Sequence, residues 1–199
     1  MGRRSDHTPR QITAMALDAA RHLVIEQGLT GLSARKIAAR IGYSAGTLYT
    51  VFDNLDDLIL RLNALTLDEL YERMHQSLDG CSDARHSLLT LGRIYARFAE
   101  QQPHLWSALF EHRLPPGTAI PEDYRVRIDR LFGLTRHQLQ ILGKHVPDRQ
   151  IDIAAHALWS GIHGICILQL SGTLQATGSR TVTELLDSLI ENYLDGWLQ

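Results

Sequence analysis

The chain has 199 residues, 44% of them hydrophobic and 21% charged, with a formal net charge of −2. This is an ordinary soluble globular composition, enough for one domain or two small ones, and the two cysteines, Cys81 and Cys166, exclude a disulfide framework or a cysteine-based metal site and fit a reducing compartment. The charge is unevenly placed: residues 1–50 hold seven Lys or Arg against three Asp or Glu, and residues 51–199 hold thirteen against nineteen. A basic head on an acidic body points to an anionic partner for the head.

Arg3 and Arg4 are followed by polar residues rather than an apolar run, so no secretory signal is expected and the protein reads as cytoplasmic. Ile12, Met15, Ala16, Ala19 and Leu23 then recur at helical spacing and stop at Gly28, a suitable C-terminal cap. Ser33 caps a short helix carrying Ile37, Ala38 and Ile41 that ends at Gly42, and Ser44 caps another, reaching about Val51 or Phe52. After the polar break Asp53-Asn54, Leu55, Leu58, Ile59, Leu62 and Leu65 begin a long helix running toward Ser77.

Further helices are expected over residues 84–101, 103–111, 122–142 and 149–174, separated after residue 111 by the loop "HRLPPGTAIP". Residues 153–179 contain no Asp, Glu, Lys or Arg, but histidines, Gln169, serines and four glycines interrupt them, which favours a buried helix over a membrane span. From Val182 to Leu198 a wide apolar stripe persists at three- and four-residue steps. The predicted fold is all-α, about nine helices, with no strand alternation.

Two short helices joined by a glycine turn at residues 33–52 have the make-up of a helix-turn-helix, whose second helix enters the major groove of DNA. Ala45 and Gly46 are small enough for close approach, Ser44, Thr47, Tyr49 and Thr50 offer hydroxyls, and Arg35, Lys36 and Arg40 can neutralise phosphate. An N-terminal arm bearing Arg3, Arg4 and Arg10 could follow the backbone or the minor groove. Spacing alone also fits a helical hairpin with a solvated charged face.

Several features together carry a family likeness: "AARHLVIEQGLTGLSARKIAARIGYSAGTLYTVFDNLDDLI", with its "IAARIG", "GTLY", Phe52 and Leu58. Over residues 10–60 the chain resembles the DNA-binding domain of the tetracycline-repressor (TetR) family of bacterial transcriptional regulators. The resemblance implies that Ser44, Ala45 and Gly46 face the groove, Thr47 and Tyr49 touch phosphate, and Tyr43 sits at the mouth of the recognition helix. The family often has His before the Phe and Lys at the start of the fourth helix, where this chain has Val51 and Leu55; Asn54 and the helix-four N–H groups would then serve the phosphate. The DNA-facing set is thus Arg3, Arg4, Arg10, Ser33, Arg35, Lys36, Tyr43, Ser44, Ala45, Gly46, Thr47, Tyr49, Thr50 and Asn54.

The body is similar to the family's ligand-binding and dimerisation region, and "WSGIHG", Trp159 to Gly164, resembles a Trp-x-x-x-His-Gly signature of one subset. The resemblance implies an apolar cavity, with Tyr95, Phe98, Trp106 and Phe110 as its lining, although each alone reads as ordinary core. Trp159 and His163 share a helix face and read either as a pocket wall or as a core tryptophan bonded to a core histidine. Ala157, Ser160, Gly161 and Gly164 form a small-residue face which, with Leu185, Leu186, Leu189, Tyr193 and Trp197, would pair with a second copy in a four-helix bundle. His156 and His163 lack further ligands nearby, so no metal or cofactor is expected.

The domain plan is a flexible basic arm (1–8), a helix-turn-helix domain (9–55) and a ligand-binding and dimerisation domain (56–199). The expected function is a homodimeric regulator of a pseudo-palindromic operator, most simply a repressor released by a small apolar or amphipathic effector. A DNA-binding protein without such a ligand is the alternative, and no triad, metal motif or phosphate loop supports an enzyme.

Overall fold

The computed structural model describes residues 7–178 and 180–199, and among them every regular element is helical. The ten α-helices are α1 (Pro9–Gln27), α2 (Ala34–Arg40), α3 (Ala45–Leu48), α4 (Leu55–Gln76), α5 (Ala84–Gln101), α6 (Pro103–Glu111), α7 (Glu122–Leu142), α8 (Asp148–Leu170), α9 (Thr173–Thr177) and α10 (Val182–Trp197). The chain forms two compact units: Met1–Thr66 with Gln102–Tyr124, and Leu67–Gln101 with Arg125–Gln199. The division between these units falls inside α4 at Thr66/Leu67, and the first unit takes α6 from the middle of the sequence.

In the first unit the helix starts are written locally. Thr8 and Gln11 form a reciprocal capping box and Pro9 stands in the first turn of α1, where its missing N–H costs nothing. Gly28, at φ +69°, ends α1 by donating its N–H to the Val24 carbonyl at 2.8 Å. Asn54 caps α4: its Oδ1 accepts from the Asp57 N–H at 2.9 Å, and the Asp57 carboxylate accepts from the Asp53 N–H at 3.1 Å.

The interior of this unit joins Ala16, Ala20 and Val24 of α1 to Ile37, Leu48, Leu58 and Leu62, and α6 adds Leu105 and Ala108. Each fully buried Leu or Ile of this kind is worth about 1.5–3 kcal/mol over its exposed state. Polar bonds fix α6 in place: His104 Nδ1–H donates to the Ile25 carbonyl at 2.8 Å, Asn63 Nδ2 donates to the Ala108 carbonyl at 3.0 Å, and His112 Nε2–H donates to Asp56 at 2.9 Å.

In the second unit α5, α8 and α10 pack on one another. Small residues set how close they come. A Cβ on Gly161 would lie 2.6 Å from Leu189, and one on Gly92 would lie 2.8 Å from Ile190, so α10 lies nearly against the backbones of α8 and α5. Arg93 clamps Asp187 of α10 through two bonds of 2.9 and 2.6 Å, and Asp68 accepts from both Arg127 and Arg130 of α7.

The stretch expected as one helix over residues 149–174 breaks at Ser171-Gly172. Gly172 turns left-handed at φ +73° and α9 begins after it, which accounts for a tenth helix beyond the nine expected. By length and hydropathy α8 could cross a membrane, yet Ile151, Ala154, Ala155, Leu158, Ile162 and Cys166 bury one of its faces in the unit's core.

Candidate nucleic-acid interface

Residues 33–52 form a tight bihelical turn. Ser33 Oγ accepts from the Lys36 N–H at 3.3 Å, starting α2; Gly42, at φ +75°, permits the turn that lets the Tyr43 N–H return to the Ala38 carbonyl at 2.9 Å. Ile37, Ala38, Leu48 and Phe52 point inward, which fixes the opposite face of α3 outward. The α-helical part of α3 is shorter than the sequence suggests: it covers only Ala45–Leu48, and Tyr49 to Val51 continue as a hydrogen-bonded turn.

Ser44, Gly46, Tyr49 and Thr50 are exposed, and Ala45 and Thr47 are partly so. Ser44 Oγ and Thr47 Oγ1 lie 3.1 Å apart, and Thr50 Oγ1 donates to the Thr47 carbonyl at 2.7 Å. Tyr49 is 50% exposed, and its hydroxyl makes no hydrogen bond among the described residues. A Cβ on Gly46 would meet only Ser44 Oγ, at 3.7 Å, so no internal packing requires a glycine there.

The cations divide by what they already hold. Lys36 Nζ donates to Gln27 Oε1 at 2.7 Å and to the Gly31 carbonyl at 2.8 Å, tying α2 to the turn after α1. Arg40 pairs bidentately with Glu26, whose carboxyl it holds below the usual range. Arg35 is exposed and makes no hydrogen bond or ion pair among the described residues; Arg10 is likewise exposed. Arg3 and Arg4 lie outside the described residues. Asn54 spends its side-chain oxygen on the α4 cap, leaving its amide N–H groups for any outside partner. The sequence reading missed His7, whose Nδ1 lies 2.7 Å from Tyr43 Oη and so ties the start of the chain to the turn before α3. Nothing in local sequence spacing marks a pair 36 positions apart.

The residues expected to line a ligand cavity are divided between the two units. Trp106 is fully buried and packs edge-on against Phe110, but both belong to the first unit through α6. In the second unit Phe98 is also fully buried, under the Arg73 guanidinium. Tyr95 and Trp159 do border a cavity, together with Leu88, Gly92, Leu158 and Ile190, but its volume is about 40 Å³. That is room for about one water molecule.

Around that cavity Trp159 Nε1 donates to Tyr95 Oη at 3.3 Å, and Tyr95 Oη lies 3.0 Å from His163 Nδ1. Burial lowers the pKa of His163. Phe132 stacks on His156 and meets Trp159 edge-on. No group of three or more His, Cys, Asp or Glu among the described residues could hold a metal ion.

Part of the expected dimer face is spent inside the protomer. Leu186 is buried in the core, Gly161 accommodates Leu189, and Trp197 covers Gly143, where a Cβ would lie 2.7 Å from the indole. Ala157 and Ser160 are exposed, Gly164 has no atom near its open side, and Leu185, Leu189 and Tyr193 are half-buried.

Known proteins match both units. Residues 16–62 match the family described as bacterial regulatory proteins, tetR family, and residues 88–193 match the tetracyclin repressor-like C-terminal domain. An uncharacterized HTH-type transcriptional regulator of Mycobacterium tuberculosis is 25% identical over 150 residues, 74% of this chain; the match spans 65% of that relative's length. A protein of unknown function from Rhodococcus sp. RHA1 superimposes with a TM-score of 0.80 at 20% identity over 100% of both chains. The transcriptional regulator FadR of Bacillus subtilis, solved in complex with stearoyl-CoA, gives a TM-score of 0.72 at 16% identity over 92% of this chain and 98% of its own. At these identities the structures speak for the fold alone. The C-terminal match covers more than half of the chain and the N-terminal match falls on the bihelical turn with the exposed hydroxyls, so this chain belongs to the TetR family of transcriptional regulators, which carry a DNA-binding N-terminal domain.

Proposed function

We propose that the protein is a homodimeric repressor that holds a pseudo-palindromic operator through residues 33–52 and releases it when a small apolar or amphipathic molecule binds within residues 56–199. The observation that carries the DNA-binding part is the outward face of α3 and its flank. Gly46 is not required by internal packing, and the Tyr49 hydroxyl and the Arg35 guanidinium have no bonded partner among the described residues, while the inward face is closed. Hydroxyls and a free guanidinium suit phosphate, and a missing Cβ lets the helix approach base edges. Such a protein works where the chromosome is, in the cytoplasm.

Dimerisation is supported by the apolar surface of α8, where Ile153, Ile167 and Leu168 are 56%, 46% and 41% exposed near Ala157 and Ser160. Two copies related by a two-fold axis would present two recognition helices to half-sites one helical turn apart. An effector releases the operator only by the difference in its affinity for the two states of the dimer. The stearoyl-CoA held by FadR is consistent with an amphipathic effector for this fold.

The test is fluorescence anisotropy of the full chain on duplexes from the region upstream of its own gene. Tyr49→Phe should weaken specific binding about tenfold through one lost bond to a charged phosphate, with the dimer intact, whereas Leu189→Asp should yield monomers that no longer bind. Because Leu189 also packs on Gly161 inside the protomer, Ile153→Asp on the exposed face of α8 is the cleaner variant, and normal operator binding by a stable Ile153→Asp dimer would sink the proposed interface. One observation favours a second reading, a DNA-binding protein with no effector: the 40 Å³ cavity beside Tyr95 and Trp159 admits no ligand larger than water as it stands. A thermal-shift screen with no hit from any apolar or amphipathic class would favour that reading.

A further inference from the structure

The second unit has a much larger space than the cavity beside Tyr95. A cleft of about 750 Å³ opens between α5, the end of α8, α9 and the start of α10. That volume falls in the range of about 300–1,000 Å³ typical of small-molecule sites. Its floor is aliphatic: Ala96, Ala99, Cys166 and Leu186 line it and are all buried, and Leu170 and Val182 extend the apolar wall. Among the described residues no aromatic side chain borders it.

The rim carries Arg93, Arg97 and Arg180. Arg93 is already neutralised by its bidentate pair with Asp187. Arg97 is exposed and has no hydrogen bond or ion pair among the described residues; Arg180 has only the longer-range attraction of Glu184, whose carboxylate is spent accepting from the Thr181 backbone N–H and hydroxyl in the cap of α10. Among the described residues Glu100 is the one acid on the cleft wall, against two arginines without a carboxylate bonded to them. The balance repels an organic cation, and Gln169, Thr181 and Thr183 line the same cleft with groups that can hydrogen-bond to oxygen.

We propose that this cleft is a binding site for an aliphatic carboxylate, its tail on the Cys166–Leu186 floor and its head group at Arg97 and Arg180. The combination selects an anion with an aliphatic chain, since the floor offers no ring to stack on and the rim no excess of negative charge. Burial pushes the Cys166 thiol up to about 12, so it serves as uncharged apolar floor and not as a nucleophile. The inference rests on the reading of this unit as the ligand-binding one, and it names the ligand class and the place.

The experiment is isothermal titration of the full chain, without DNA, with octanoate, 1-octanol and octylammonium, which share a tail and differ in head charge. Octanoate should bind, octanol about tenfold more weakly for want of the charge-assisted bonds, and octylammonium not measurably. Arg97→Glu, at an exposed residue with no partner to lose, should keep its melting temperature and lose the preference for octanoate over octanol. Equal affinity of wild type for octanoate and octanol would overturn the proposal. So would octanoate binding that survives Arg97→Glu but is lost in Tyr95→Phe, which would place the ligand beside Trp159 instead. Operator binding, followed separately by anisotropy, keeps the two readings apart: octanoate binding without any operator binding leaves the cleft standing and removes the regulator, and the reverse pattern does the opposite.

Discussion

In the first unit the apolar side chains of α1, α2, α4 and α6 close on one another, and what remains outside around α3 is hydroxyl, glycine and cation. The second unit closes only partly: α8 buries one face and leaves Ile153, Ile167 and Leu168 on the other, and a cleft opens beside its end. The contrast separates two kinds of recognition. A polyanion is met by a rigid, self-sufficient fold with polar side chains held outward. The proposed second copy and amphipathic ligand would be met by surface that the unit itself leaves uncovered.

The strongest challenge to that comparison is Trp106→Ala. If the first unit is closed only because α6 plugs it, the variant should lose about 3–5 kcal/mol, as buried aromatic truncations do. Urea denaturation of wild type and variant measures it, and operator binding should fall with stability although Trp106 lies far along the chain from residues 33–52. A loss under about 1 kcal/mol would mean that α6 is peripheral to the head.

A finer cut compares neighbouring cations. Arg35→Gln should leave the denaturation midpoint in place and flatten the salt dependence of operator binding by about one counterion. Lys36→Met should instead lower the midpoint, because it removes the bonds to Gln27 and the Gly31 carbonyl, and change the salt slope less. Equal slopes for the two variants would erase the distinction drawn between them.

Gly46→Ala should move stability and affinity in opposite directions. The helix start gains up to about 1 kcal/mol from the removed flexibility, while the added methyl obstructs the outward face. A stabilised variant with full operator affinity would show that the groove does not need the space at residue 46.

The smallest effect is a pH slope in the second unit. His163 has its pKa lowered by burial, so the unfolded chain takes up the proton more readily than the folded one. Its stability is therefore complete above the unfolded value near 6.5 and declines as pH falls below it toward the lowered folded value. His163→Gln should flatten the melting temperature between about pH 5 and 7 relative to wild type; an unchanged slope would assign it to another histidine.

Much of the fold was legible because its signals are local. The bounds of α5, α6 and α7 follow directly from periodicity, first-turn proline and the proline-rich loop, and the caps at Ser33 and Gly42 act within a few residues of themselves. The exposed positions of Ser44, Gly46, Tyr49 and Thr50 follow from the same local spacing, which sets Leu48 and Phe52 inward. The proposed effector site was not legible: Tyr95, Phe98, Trp106 and Phe110 look equivalent along the chain, yet α6 carries the last two into the first unit. Leu186 and Leu189 likewise share one stripe, and only packing buries the first completely. Periodicity gives the apolar face of a helix but not what covers it.

The sequence by itself determined where most helices start and stop and which face of residues 33–52 turns inward, because caps, glycine turns and three- to four-residue spacing act over one or two turns. Only the tertiary structure decided that Lys36 and Arg40 are already engaged, that α6 belongs with the first unit, and that Arg93, Arg97 and Arg180 meet around one cleft, because those groups are brought together by packing between helices far apart in the chain.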